Sequence, residues 1–255
     1  MIALVDGDIV AYRVACTLQD DDHEEFAYAR TEDLVDDIIV KSEADSFKIF
    51  LTGKDNFRYT IYPEYKAHRP KEKPVWLERI RQYLVANFNA VVVDGQEADD
   101  ALGIEQMKTH TAWHVDNYLE DNTVICSIDK DLLMIPGHHY NFVKDEKIYV
   151  SNFSGIYHFY MQCLMGDRSD NIKGIPKVGP KKAEAILAGC SNEQEMFNAV
   201  RDAYGNDEEF LMNARVLWIR RNENEDYKDR FNELQKQVGG TGLEDSEEPI
   251  SIDEV

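Results

Sequence analysis

The sequence of 255 residues has only four cysteines, Cys16, Cys126, Cys163 and Cys190, and no two are spaced as CxxC. That pattern gives no footing for a zinc ribbon or a disulfide framework, and reduced, buried thiols in apolar surroundings are expected. Long hydrophobic runs are missing as well. No stretch approaches the ~20 apolar residues that a membrane-spanning helix needs, so no membrane partner is expected. The opening MIALVDGDIV carries neither a basic n-region nor a long apolar h-region; no signal peptide, and a cytoplasmic location, are expected. No GxSxG elbow and no Walker loop occurs, which leaves serine and cysteine nucleophile catalysis without support. His110 and His114 have the i, i+4 spacing of one helix face. No third ligand accompanies them, so they read as a surface pair rather than a zinc site. There is no internal repeat.

Positive charge is scarce. Against 28 Lys and Arg stand 49 Asp and Glu, a net charge of −21. Such a field repels a polyanion and counts against nonspecific nucleic-acid binding. The basic residues are clustered, however, and cations bound by the aspartates would neutralise part of the acidity.

What is present is a chain able to bury a sizeable core, with strand and helix signals alternating over its first part. Ile2–Val5, Phe47–Leu51, Ala90–Val93 and Thr123–Ser127 read as strands. Helices are expected over Ile9–Leu18, after a Thr31-Glu32-Asp33 cap, and from Pro74 through Phe88. An acidic loop is expected over Asp20–Glu25, and a hairpin over Tyr140–Val143 and Lys147–Val150. Beyond about residue 155 only helical patterns remain. The expectation is an α/β fold with a mainly parallel sheet and helices on both faces, followed by a helical C-terminal half. The division is 1–155 for the α/β core, 156–238 for the helical part, and 239–255 for a flexible acidic tail.

Acidic residues follow the strands. Asp6 ends the first, Glu97, Asp99 and Asp100 follow the third, Asp129 and Asp131 follow the fourth, and Asp167 and Asp170 open the helical part. The carboxyl ends of parallel strands line one edge of a sheet, where ligands bind. So many carboxylates brought together would repel and raise one another's pKa values unless hard cations compensate. Mg²⁺ suits such an oxygen-rich site, with Mn²⁺ as its substitute, and two ions about 4 Å apart can clamp the oxygens of a phosphodiester. Beside the last pair runs GIPKVGPKKA. Gly174 and Gly179 bracket a short loop through Lys177, Pro180 starts a helix whose N-terminal amides favour phosphate, and Lys181 and Lys182 add charge. Arg58, Lys66, His68, Arg69, Lys71, Lys73, Arg79 and Arg81 make the most cationic stretch, interleaved with Tyr59, Tyr62, Tyr65 and Trp76. Basic groups can hold phosphates there and aromatics can stack on unpaired bases.

VDGD at 5–8, YKAHR at 65–69, EADD at 97–100, SIDKD at 127–131 and GDRSDNIKGIPKVGPKKA at 166–183 together resemble the 5′-nuclease family. That family includes flap endonucleases, the 5′-nuclease domain of bacterial DNA polymerase I and the short bacteriophage 5′–3′ exonucleases; the last are nearest in length and in the run PEYKAHRPKEKPV. The resemblance covers about residues 1–222. It implies that Asp6, Glu97, Asp99, Asp100, Asp129, Asp131, Asp167 and Asp170 hold two Mg²⁺ ions, with Asp6, Asp129, Lys66 and Arg69 in catalytic roles. It places an arch or gateway for a 5′ strand at 57–85 and a helix–hairpin–helix at 174–188 that grips duplex DNA, with K⁺ as a candidate ion in its loop. Tyr65, Lys66, Arg69, Lys71, Lys73, Gly174, Lys177, Gly179, Lys181 and Lys182 are the implied DNA contacts. The expected activity is hydrolysis at 5′ ends, nicks or flaps of DNA, or of an RNA–DNA hybrid in primer removal, by a monomer in a bacterial or phage-infected cell. Products would carry a 5′-phosphate, and replication proteins are candidate partners for the acidic tail.

One position departs from the family pattern. The aspartate usual just after the second strand is missing, with Thr52 and Gly53 in its place and Asp55 as a candidate substitute; Asp8 is an additional carboxylate read as a supporting residue. The competing readings are a PIN-like ribonuclease, which shares clustered acids, and a non-catalytic protein that binds DNA structures.

Overall fold

In the computed structural model, residues 1–70, 72–109 and 122–239 are described. Short apolar segments ended by acids become strands β1 (Ile2–Asp6), β2 (Ser46–Thr52), β3 (Val91–Val93) and β4 (Thr123–Cys126), followed by β5 (Gly137–Asn141) and β6 (Glu146–Val150). The sheet order is β3-β2-β1-β4-β5-β6, parallel throughout except for the β5–β6 hairpin. The order in which strands are added reverses at β1. After β1 the connection leads outward to β2 and β3, then crosses back to β4 on the other side of β1. The resulting crevice between the carboxyl ends of β1 and β4 is where doubly wound sheets take their ligands.

Helices α1 (Gly7–Ala15), α2 (Glu24–Ser42) and α4 (Leu77–Phe88) cover one face of the sheet; the short α3 (Arg58–Ile61) lies between β2 and α4. Helix α5 (Ala98–Thr109) covers the other face. The helical half packs on that second face: α6 (Asn152–Met165), α7 (Pro180–Leu187), α8 (Glu193–Tyr204), α9 (Asp207–Leu217) and α10 (Tyr227–Gly239). Side chains alternating along β1 divide the interior in two. Leu4 joins the cluster of α5, α6 and α8–α10, while Ala3 and Val5 join that of α1, α2 and α4. Period-2 alternation thus welds both layers to one central strand.

Three expectations change. Helix α2 begins at Glu24, seven residues before Thr31; Thr31 is inside the helix, and its Oγ1 donates to the Ala27 carbonyl at 2.8 Å. Strand pairing also continues past residue 155, because Gly166–Asp167 (β7) pairs antiparallel with Ile172–Lys173 (β8). Two-residue strands leave no periodic signal in a sequence. The thiols are free as expected, but Cys16 is exposed and Cys190 half-buried; only Cys126 and Cys163 are in the core.

The candidate metal centre and its basic rim

Asp6 occupies the last position of β1 and also caps α1, accepting the Ile9 amide at 3.1 Å. Its other oxygen accepts from Ser127 Oγ at 2.7 Å, and Ser127 Oγ in turn accepts the Asp129 amide at 3.0 Å. Ser127 therefore locks the ends of β1 and β4 together across the crevice. Asp129 then caps the 3-10 turn Lys130–Met134, accepting the Asp131 amide. Burial, against the Ser127 bond and with the nearby Asp8 and Asp129 charges adding to it, pushes the Asp6 carboxyl up to about 7. Asp99, on the first turn of α5, is also raised, by burial and then by Asp6 and Asp129.

A second group of acids meets the first through Asp129. Burial and then the Asp129 and Asp167 charges push Asp131 up to about 8. Asp129 is raised too, by burial and by Asp170 and Asp167. Asp167 stays low because Ser169, through its amide and hydroxyl, both at 2.6 Å, outweighs burial. Asp167 and Asp170 do not share a helical turn as their spacing suggested: Asp167 is in β7, and Asp170 follows in the β7–β8 turn. The turn still brings both toward Asp129.

Two overlapping acid groups thus share Asp129: Asp6, Asp99 and Asp129 on one side, Asp129, Asp131, Asp167 and Asp170 on the other. Among the described residues no three acids close into a finished ion cage. The donor set nevertheless fits hard divalent cations. It is all oxygen, burial and neighbouring charge raise the carboxyls of Asp6, Asp99, Asp129 and Asp131, and Asp167 Oδ2 is buried without a hydrogen-bond partner.

Asp100 is not part of the centre, which corrects its assignment as a metal ligand. Adjacent residues on a helix point about 100° apart, so Asp99 and Asp100 cannot both face the crevice. Asp100 is fully buried and paired with Arg58 in a two-pronged contact at 2.6 and 2.9 Å, and it also accepts the Arg220 and Glu97 amides. Arg58, counted among the phosphate-binding residues, is 2% exposed. It donates further to the Val216 and Trp218 carbonyls and so rivets the α/β core to the helical half.

The basic rim docks onto the acids. The Tyr65 hydroxyl lies 2.9 Å from Glu97 and 2.8 Å from Asp170, its one proton shared between the two carboxylates, and the residue is buried, so its expected role as a base-stacking residue gives way to one in positioning. Lys66 has φ of +55°, which is uncommon outside glycine and marks a constrained turn. The Asp170 carbonyl accepts its amide, and its ammonium pairs with Glu97 and lies 3.7 Å from Asp170. Arg69 pairs with Asp170 at 2.6 Å. Burial would raise Glu97, but Arg58 and Lys66 outweigh it and hold the carboxylate below its usual range. Trp76 is buried, its indole donating to the Gln19 carbonyl. Lys73 is exposed; Lys71, His110 and His114 lie outside the described residues.

At the position of the missing aspartate, Thr52 Oγ1 accepts the Ala98 amide at 2.9 Å and caps α5. Asp8 accepts the Thr52 amide and pairs with Arg81, so its carboxylate braces β2. Asp55 is in an exposed turn at φ +61°.

The 174–188 segment differs from its expected use of glycine. A Cβ on Gly174 would come within 2.2–2.3 Å of Met165 and Gly166 backbone, so Gly174 permits chain-on-chain packing rather than ligand approach. Gly179 faces open space at the N-terminus of α7, with Lys177, Lys181 and Lys182 exposed around it. The helix before the loop, α6, is separated from it by the β7–β8 pair.

Residues that sequence reading overlooked are Ser127, Ser169 and Gln162, which donates to Asp131 at 2.5 Å. Ser127 sits within SIDKD, and a polar residue ending a buried strand was the available signal. Gln162, in the middle of an apolar helix, had none.

A doubly wound sheet with acids gathered at its switch point, rimmed by lysine and arginine, has the groups to hold divalent cations beside a phosphate. The profile of the 5′–3′ exonuclease, N-terminal resolvase-like domain, matches residues 1–158, and the chain belongs to that family of 5′ nucleases. It is 28% identical over 218 residues to a 5′–3′ exonuclease of Buchnera aphidicola (subsp. Schizaphis graminum), spanning 78% of this chain and 74% of that protein. It is 31% identical over 183 residues to DNA polymerase I of Borreliella burgdorferi, covering 66% of this chain but only 19% of the polymerase. Among solved structures, the bacteriophage T5 flap endonuclease in a pseudo-enzyme–product complex with DNA and metal ions superposes with a TM-score of 0.65. That match covers 93% of this chain and 97% of the phage protein at 16% identity, and it shows the shared fold. Among the described residues no helix is long and apolar enough to cross a membrane.

Proposed function

We propose that this chain is a Mg²⁺-dependent nuclease that hydrolyses DNA at 5′ ends and 5′ flaps, leaving 5′-phosphate products, in replication or primer removal. The observation that carries the reading is the pair of acid groups sharing Asp129 at the β1–β4 crevice. Asp6, Asp99 and Asp129, with Glu97, would hold one ion, and Asp129, Asp131, Asp167 and Asp170 the other. When bound, the ions supply Lewis acidity to the scissile phosphodiester.

The chain's own residues do the rest. Ser127 and Ser169 fix the carboxylate orientations. Lys66, held over Glu97 and Asp170, and Arg69 beside it present positive charge at the rim, where negative charge develops on the phosphate during cleavage. Tyr65 bonds Glu97 and Asp170 and so sets where that lysine sits. Lys177, Lys181 and Lys182, around the N-terminus of α7, would bind the duplex backbone in the manner of a helix–hairpin–helix, with Lys73 extending the basic path. These cations would offset locally the repulsion expected from a net charge of −21.

The test is a 5′-labelled flap substrate and a nicked duplex, each with Mg²⁺ and with EDTA. Short labelled products in Mg²⁺ and none in EDTA are expected, their lengths dividing single-nucleotide removal from flap release. Tight binding of the flap with no cleavage in either buffer would overturn the hydrolytic reading in favour of a structure-binding protein.

A further inference from the structure

Helix α6 places an amide side chain in the apolar interior. Gln162 is 3% exposed and stands in the run Tyr160, Met161, Gln162, Cys163, Leu164. Only one end of its amide is used. Nε2 donates to Asp131 Oδ1 at 2.5 Å, while Oε1 is buried without a hydrogen-bond partner. The orientation follows from the partner, since a carboxylate oxygen accepts and the NH₂ end of the amide is the one that donates. A buried acceptor left unpaired costs free energy, and an apolar side chain of similar length would avoid that cost. Gln162 is therefore poorly explained as a stabilising residue. What it does touch is an acid of the candidate centre.

The packing of α6 brings it there. Gly155 precedes Gln162 by seven residues, about two helical turns, and shares its face of the helix. A Cβ on Gly155 would come within 2.5 Å of the Met134 carbonyl oxygen. The missing side chain lets α6 lie directly against the 3-10 turn Lys130–Met134, which carries Asp131. Ile156 and Phe159 of α6 share a buried cluster with Leu132 and Met134 of that turn, which sets the distance Gln162 has to reach. At its C-terminal end the same helix runs directly into Gly166 and Asp167. Asp167 is thus tied to α6 by the chain, and Asp131 by the Gln162 amide. Lys130 approaches both acids as well, its ammonium 4.0 Å from Asp131 Oδ1 and from Asp167 Oδ2. That side chain is 71% exposed, and an exposed pair at such a distance holds neither partner firmly.

We propose that Gln162 is a positioning residue for one of the two ions, the one assigned to Asp129, Asp131, Asp167 and Asp170. It fixes the Asp131 carboxylate relative to Asp167, and it does so at a cost to stability. A carboxylate tied through one oxygen has already lost the freedom that binding a cation would otherwise remove, so the ion meets a ligand that is set in advance. The effect is confined to one ion, because Asp6 and Asp99 belong to the group on the other side of Asp129. The inference rests on the 5′-nuclease reading and deepens it.

The variant that tests it is Gln162→Met, close in length and unable to donate. In Mg²⁺ titration calorimetry the wild type should show two binding events. In the variant one of them is expected to weaken about 10–100-fold, the range for loss of a side chain that orients a metal ligand, while the other stays. Asp129→Asn, whose carboxylate serves both groups, should weaken both. Denaturant unfolding in EDTA should find Gln162→Met as stable as the wild type or more so. In single-turnover flap cleavage, the Mg²⁺ concentration giving half the maximal rate should rise by a larger factor than the rate at saturating Mg²⁺ falls. Absence of both Mg²⁺ binding and cleavage in the wild type would be a failure of the parent reading. Two wild-type binding events left unchanged in Gln162→Met, or both weakened equally, would overturn the role of Gln162 alone. So would a variant that loses stability in EDTA along with its affinity, because Gln162 would then be a packing residue.

Discussion

Asp129→Asn is expected to reduce flap cleavage by about a hundredfold or more while leaving the fold and the flap affinity in place. The carboxylate of Asp129 belongs to both acid groups, and its charge contributes to the raised pKa values of Asp6, Asp99 and Asp131. Loss of a residue that merely orients a metal ligand costs 10–100-fold, and loss of a shared ligand should exceed that. Asparagine keeps the shape and can still accept the Asp131 amide that now closes the 3-10 turn. The check is single-turnover cleavage at saturating enzyme beside binding in EDTA. Wild-type cleavage by the variant would remove Asp129 from the centre; Asp100→Asn would make a poor comparison, because that residue acts on stability.

The largest effect on stability is expected at Arg58. Arg58→Met leaves Asp100 fully buried with no counter-charge, and removing one partner of a buried pair costs about 3–5 kcal/mol. The guanidinium also satisfies the Val216 and Trp218 carbonyls, so the loss should loosen the seat of the helical half on the α/β core. Burial would lower the pKa of Arg58, but Asp100 and then Glu97 overcome it and hold the group charged at any working pH. Denaturant unfolding should show the drop. The double variant Arg58→Met, Asp100→Leu should recover a large part, because the uncompensated charge is gone. Equal loss in single and double variants would mean that the ion pair is not what joins the two halves.

Legibility in the sequence followed the physics of each element. The parallel strands were readable because each is a short apolar run ended by an acid, and a buried strand must deliver its terminal polar residue to the sheet edge. β7 and β8 were not, since two residues carry no period. The Thr31-Glu32-Asp33 triplet imitates a helix cap, yet Glu24 and Glu25 already favour the N-terminal dipole of α2, and Thr31 bonds within the helix. Among the acids of the candidate centre, Asp6, Asp99, Asp129 and Asp131 were readable from their places after strands, and Asp167 from its spacing to Asp170 at the start of the helical part. Asp100 was misassigned because EADD was taken as a block, whereas a helix turns neighbouring side chains to different faces. Arg58 and Tyr65 were read as surface groups because their segment is polar. Only the tertiary structure shows that the acids they meet, Asp100 for one and Glu97 and Asp170 for the other, draw them inside.

Titration calorimetry of Mg²⁺ into the DNA-free protein, run at pH 7 and pH 9 in buffers of differing ionisation enthalpy, tests most directly whether the acid cluster is the metal centre. With Asp6 raised to about 7 and Asp131 to about 8, these carboxyls are partly protonated at pH 7 and must lose protons when a cation takes their oxygens. Two binding events with net proton release at pH 7, vanishing at pH 9, are expected for the wild type, with weakened binding in Asp129→Asn. Saturable binding without proton release, or binding unaffected by Asp129→Asn, would contradict the account and place the metal elsewhere.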